Sequence, residues 1–350
     1  MDTAVRVREA AGPETDPNAG DRALADAPKD EQLDQLRKQV TEQGHRIATL
    51  ERMIDEVIIA QRLSAIAHVD MVRFTGPSKA VEPNPTAQDA GNPLVIHCHT
   101  FVPRDLDPAT RHPLVVLAHG GVHGRHNSDA TSIVRELVLQ GYTVVAPDYR
   151  GSDGYGKAFW EAIDYGGREV DDTQAARDWA LDAFDHLDPE RVGVIGWSHG
   201  GLISLFTIFD HPDDYAVAYA AVPVSDLVAR MGYKSQQYRD LFSAPYHLGK
   251  TAEEDVAEYR RRSPSWNVDR YRGTPLLVHT TTNDEDVNVL EVERLLQAFR
   301  AAGHEIESRI YDAAPGSHVF NRIDSRLARE SRRDIWRFLA PHLKPARPVE

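Results

Sequence analysis

Residues Gly193–Leu202 read GVIGWSHGGL, an apolar run ending in Gly196-Trp197-Ser198-His199-Gly200, with a second apolar segment behind it. Such a run before glycines reads as a buried strand, and the segment after it as a helix. A serine enclosed by glycines at this junction is the pattern of a nucleophile on a sharp strand-to-helix turn, where only small neighbours leave room for the backbone. The following helix aims its first N–H groups at the place where negative charge develops on an attacked carbonyl. The stretch thus bears on the fold and also poses a chemical question: which of the sixteen histidines serves Ser198?

The flanking sequence repeats the same alternation from about Leu94 onward. HPLVVLAHGG (112–121), YTVVAPDYRG (142–151), RVGVIGWSHGG (191–201), AVAYAAVPVSD (216–226), TPLLVHTTTND (274–284) and ESRIYDA (307–313) read as strands. SDATSIVRELVLQG (128–141), EVDDTQAARDWALDAF (169–184) and VLEVERLLQAFRAAG (289–303) read as helices between them, with Asp171 or Asp172 supporting the first turn of the second. Buried strands alternating with helices predict an α/β fold, a mostly parallel sheet with helices on both faces. Ligands of such sheets sit beyond the carboxyl ends of the strands.

Histidine and acid partners are expected at those ends, in the chain order serine, acid, histidine. His199 is poorly placed as a base, because adjacent side chains on a tight turn diverge; its backbone N–H is the useful group, in an oxyanion hole. His318 in AAPGSHVF (313–320) follows the last strand. Asp284, the first carboxylate after the fifth strand, is the expected acid, with Asp286 in reserve. The second oxyanion donor falls to Gly120 or Gly121 in LAHGGVHG (117–124). Trp197, Tyr155 and the aromatic residues Tyr233, Tyr238 and Phe242 of the long connection after the fourth strand are candidates for a substrate pocket.

Together HGGVHG, DYRGSDGYG, EAIDYGGREVDD, GWSHGGL, TNDEDVNV and GSHVFNR give residues 94–343 a resemblance to the catalytic domain of the prolyl oligopeptidase family of serine hydrolases. The resemblance implies an α/β-hydrolase fold and peptidase or esterase chemistry through an acyl-enzyme. It also implies the triad Ser198–Asp284–His318, since the family's acid is followed three residues later by an apolar residue, here Val287. Members near acylaminoacyl peptidase use the second glycine of the HGG loop as oxyanion donor, which here is Gly121. Such peptidases usually carry a β-propeller before this domain; here the preceding residues read as helical, so a catalytic domain without a propeller is expected.

Residues 1–29, rich in Ala, Asp, Pro and Gly, read as a disordered tail. In 30–70, Leu33, Val40, Ile47 and Ile54 recur every seven residues, and Leu36, Gln43, Leu50 and Val57 form the companion series. This predicts either an amphipathic helix packed on the body or a coiled coil that makes a homo-oligomer. Residues 71–93 read as a linker and 344–350 as a tail.

The 350-residue chain has a formal net charge of −14, which excludes nucleic acid as the main partner. One cysteine, no secretory signal core and no long apolar span predict a cytoplasmic protein without membrane contact. GSDGYGKA (151–158) falls short of a P-loop at Ala158. His97, Cys98 and His99, like His119, His123 and His126, lack metal-ligand spacing, so neither metal nor cofactor is expected. The expected partner is a small ester or short peptide. The alternative is an inactive hydrolase-fold assembly protein acting through its coiled coil; a complete triad argues against it.

Overall fold

The structure is a computed structural model that describes residues 28–78 and 93–349. The strands are β1 (Ala67–Ser78), β2 (Pro93–Pro103), β3 (His112–Ala118), β4 (Thr143–Asp148), β5 (Leu187–Trp197), β6 (Val217–Ala221), β7 (Leu276–Thr281) and β8 (Glu307–Tyr311). The helices are α1 (Lys29–Leu63), α2 (Thr131–Gln140), α3 (Lys157–Trp160), α4 (Arg168–Ala183), α5 (His199–Asp210), α6 (Leu227–Tyr233), α7 (Gln236–Ser243), α8 (Val256–Arg261), α9 (Val289–Ala301) and α10 (Arg326–Leu343).

The strands form one sheet in the order β1-β2-β4-β3-β5-β6-β7-β8. From β4 to β8 all pairings are parallel, while β1 with β2 and β2 with β4 run antiparallel. Alternation along each strand divides the core in two. Leu114, Val116, Val194 and Val278 point to the layer holding α4, α5 and α9. Val115, Leu117, Ile195 and Leu277 point to the layer holding α1, α2 and α10. Central strands buried on both faces explain their unbroken apolar sequences.

Two segments differ from the sequence expectation. Residues 67–78, expected as the end of the helix and the start of a linker, form edge strand β1, paired with β2 from Ala67↔Pro103 to Ser78↔Pro93. An edge strand half open to solvent carries a weak apolar signal, and Pro77 is tolerated there because the edge leaves N–H positions unpaired. The rest of the expected linker, 79–92, and the expected tail up to residue 27 lie outside the described residues. At the other end, the expected tail is docked: Arg347 N donates to Gln140 O at 3.0 Å and Arg347 Nε to Leu139 O at 2.8 Å.

Helix α1 does pack on the body, but not by its heptad residues. Ile59 and Leu63 enter the core, and Ala48 is buried with them. The seven-residue series stays exposed, from Leu36 at 48% to Val40 at 69%.

Candidate active site

Ser198 caps α5 between β5 and the helix, with φ 61° and ψ −118°, a conformation that costs a non-glycine residue on the order of 1–3 kcal/mol. The surroundings enforce it. Ser198 N donates to Ala221 O at 2.9 Å, and Ser198 O accepts from Gly201 and Leu202 in the first turn of α5. A Cβ on Gly196 would lie 2.1 Å from Gly200 O, and one on Gly200 2.1 Å from Ala118 O. The glycines flanking the serine are therefore required by backbone contact.

His318 stands in a single 3-10 turn, Ser317–Val319, after β8. Its Nδ1 lies 2.8 Å from Asp284 Oδ2 and 3.0 Å from Oδ1. Asp284 is fixed in turn, its Oδ1 accepting the N–H groups of Asp286 and Val287 at 2.8 Å each. Asp286 occupies a different place. Its Oδ2 lies 3.4 Å from His318 Nε2, and its Oδ1 is held by Arg230 Nη2 at 3.1 Å and by Lys234 Nζ. Burial opposes the charge of Asp286, but Arg230 and Lys234 outweigh it and keep the carboxyl below its ordinary range.

The loop after β3 faces the serine. Gly121 adopts φ +85°, a backbone state that favours glycine. The ring of His199 turns away from Ser198: Nδ1 lies 3.1 Å from Gly121 O and Nε2 3.0 Å from Glu169 Oε1. Glu169, fully buried, also accepts the N–H groups of Gly166 and Gly167, and Tyr165 stacks on His199 at 3.8 Å. His199 and Glu169 thus tie the loop's carbonyl to α4. This anchoring role was missed from sequence, because the partners stand thirty positions apart and no motif joins them. Tyr149 adds a tie, donating to His119 O at 2.8 Å.

The other loop histidines have structural partners. His119 stacks on Tyr149 and bonds Ser152 Oγ at 2.9 Å, and burial pulls its pKa down to about 3. His123 stacks on Trp160, and His97 on Tyr155. Among the described residues no group of three or more His, Cys, Asp or Glu side chains is arranged to hold a metal.

A cavity of about 620 Å³ joins these parts; Ser198, His318, Gly120, Gly121, Trp197 and Arg322 are among its lining residues. Of the expected pocket aromatics, Trp197 lines it. Tyr155, Tyr233, Tyr238 and Phe242 do not. Tyr155 donates to Asp148 and packs on His97, Tyr233 bonds Glu291, Tyr238 receives Arg230 Nε, and Phe242 is fully buried against Tyr165. Tyr233, Tyr238 and Phe242 cement the connection after β6 instead of forming its inner wall, and Tyr155 packs the loop after β4 against β2.

Helix α1 reaches the same cavity from outside. Asp55 accepts from Arg125 Nη2 at 2.7 Å and from Ser128 N at 3.1 Å, and Arg125 lines the cavity. Asp55→Ala should loosen this loop and lower kcat roughly three- to tenfold, the scale of one partly buried ion pair. Steady-state kinetics with an activated ester would check it, and an unchanged kcat would show that the brace does not matter to turnover.

A mostly parallel sheet flanked by helices, a strained serine on the strand-to-helix turn and a histidine–aspartate pair from later loops define a chain of the α/β-hydrolase class. Within it, the model of the prolyl oligopeptidase family matches residues 130–346, and the chain belongs to that family. It is 31% identical over 208 residues to the uncharacterized peptidase YuxL of Bacillus subtilis, covering 58% of this chain and 30% of that protein. It is 26% identical over 205 residues to the acylamino-acid-releasing enzyme of Arabidopsis thaliana, covering 57% and 27%. Among solved structures, a puromycin-hydrolyzing peptidase of Mycobacterium tuberculosis superposes with a TM-score of 0.64 at 24% identity, covering 79% of this chain and 39% of that one. An acylaminoacyl peptidase of Pyrococcus horikoshii does so with a TM-score of 0.65 at 17% identity, covering 80% and 42%. The chain thus spans less than half the length of these relatives. Among the described residues no helix is long and apolar enough to cross a membrane.

Proposed function

We propose that the chain is a serine peptidase that cleaves a short peptide or aminoacyl amide through an acyl-enzyme. The observation that carries this reading is the His318 Nδ1–Asp284 hydrogen bond on the rim of a cavity shared with Ser198. With Asp284 on Nδ1, the imidazole presents Nε2 as base. His318 takes the Ser198 hydroxyl proton as Oγ attacks the substrate carbonyl. The N–H groups of His199 and Gly121 receive the oxyanion, and the N-terminal end of α5 favours its charge. His318 then protonates the departing amine, and water, activated by the same base, releases the acid. The ring of His199, bonded to Gly121 O, holds the loop donor in place. An ester passes through the same steps more easily, having a better leaving group, which makes activated esters suitable probes. The relatives' names, all of peptidases or acylamino-acid-releasing enzymes, favour the amide as substrate.

Labelling with a fluorophosphonate, followed by mass spectrometry of the modified peptide, tests this directly. The label should fall on Ser198 and vanish in Ser198→Ala. A folded wild-type sample without label, or a mutant that still carries it, would end the proposal.

A further inference from the structure

Helix α1 has two faces with different tasks. In the heptad frame, Leu33, Val40, Ile47 and Ile54 occupy the a positions and Leu36, Gln43, Leu50 and Val57 the d positions. The residues that hold the body lie on the opposite, b, c and f side. Arg52 Nε donates to Gly154 O at 3.0 Å, Asp55 binds Arg125, Arg62 donates to Ser128 O, and Ile59 and Leu63 enter the core. The a/d seam therefore points directly away from the hydrolase domain. Its large apolar members are each about half to two-thirds exposed.

The first half of the helix contributes nothing to the buried core. From Lys29 to Gly44 no side chain is buried, a stretch of about 24 Å at the rise of an α-helix. A helical segment of that length is marginal in water unless its apolar stripe is covered.

We propose that the cover is the same helix of a second copy of this chain, in a parallel, in-register two-stranded coiled coil. The seam residues specify this occupant. β-Branched side chains fill three of the four a positions (Val40, Ile47, Ile54), and leucine fills d at Leu36 and Leu50, the distribution that favours a parallel dimer. In parallel register each g residue faces the e′ residue five positions on. Arg46 then meets Glu51 of the second copy, twice by symmetry. The next pair, Met53 with Ile58, extends the apolar seam, and no like charges oppose. Gln43, the polar d residue, penalises slipped registers by pairing best with its own copy. The bodies sit on the outer faces of the two helices, so they do not collide across the seam.

Light scattering on the full chain is the first test. Wild type should have twice the 39.1 kDa chain mass at micromolar concentration. Ile47→Asp with Leu50→Asp should give a monomer whose esterase activity shows an intact hydrolase domain. Leu36→Cys, near the free end of the seam, sets the orientation: oxidation should crosslink a parallel pair in high yield, because d residues face each other. Arg46→Glu should weaken the dimer roughly tenfold, and Arg46→Glu with Glu51→Arg should restore it. A monomeric wild type would overturn the proposal, showing the seam covered within one chain or left bare. A dimer that survives Ile47→Asp/Leu50→Asp, or one that Leu36→Cys cannot crosslink, would overturn the parallel seam.

Discussion

Ser198→Ala and His318→Ala are each expected to lower kcat on an activated ester by about 10⁶-fold, and the double variant by little more, since members of a triad act as a unit. Asp284→Asn should lose about 10⁴-fold, because an amide on Nδ1 no longer fixes the tautomer or stabilises the imidazolium. The discriminating variant is Asp286→Asn. Asp286 touches His318 on the other nitrogen, at 3.4 Å, and it is 43% exposed and committed to Arg230 and Lys234. Losing a partly screened charge there should change kcat by less than about tenfold. Asn at 284 retains an oxygen for the N–H groups of Asp286 and Val287, so the loop should hold its shape. Melting curves for all five variants would verify that. Equal losses in Asp284→Asn and Asp286→Asn would mean that the two carboxylates share the acid role and that the assignment above is incorrect.

That choice between carboxylates shows how far local sequence carries. Order along the chain and, through the family resemblance, the valine at 287 favoured Asp284, and the structure places its Oδ2 2.8 Å from His318 Nδ1. The central strands were equally legible, because burial on both faces writes a continuous apolar run. Strand β1 was not. It joins the sheet through backbone bonds to β2, which leave no apolar record, and its Gly76 and Pro77 imitate a linker. The aromatic cluster misled for a related reason. Sequence locates Tyr238 and Phe242 near the site but does not say which way they face; Arg230, buried with Glu291, donates to Tyr238, and Phe242 packs against Tyr165 and Tyr238. The heptads revealed an apolar stripe without revealing that a second set of residues, Arg52, Asp55, Ile59 and Leu63, holds the same helix to the body.

The segments DYRGSDGYG and EAIDYGGREVDD carried part of the family resemblance, yet their chemistry shows only in three dimensions. Of Asp171 and Asp172, either of which was expected to support the start of a helix, Asp171 stands in the first turn of α4, while Asp172 lies further in and pairs with Arg150, both almost fully buried. Arg150 Nη2 and Nε reach the two carboxylate oxygens at 2.7 and 2.8 Å, and Arg150 N adds a third bond at 2.9 Å. The second use of Arg150 Nη2 is on Pro77 O of β1, and Gly76 passes so close that a Cβ there would lie 2.5 Å from Asp172 Oδ1. One buried ion pair therefore joins β4, α4 and the edge strand. Tyr149, adjacent to Arg150 along the chain, holds His119 O in the loop after β3.

Asp172→Ala should therefore cost about 3–5 kcal/mol, since it strands a buried guanidinium without its carboxylate. Removing both charges with Arg150→Met and Asp172→Leu should cost clearly less than the sum of the single losses, because the desolvation of two ions is relieved together. Urea unfolding of the four proteins in a double-mutant cycle measures this. Hydrogen exchange supplies the structural arm: in Asp172→Ala the amides of β1 should lose protection before those of β5 or β6, since β1 depends on Arg150 through Pro77 while the central strands are held by the core. A single-variant loss below about 1 kcal/mol, the value of an exposed pair, would show that the buried ions are not a structural tie. Uniform loss of protection across the sheet would show that the pair supports the whole domain and gives β1 no special anchor.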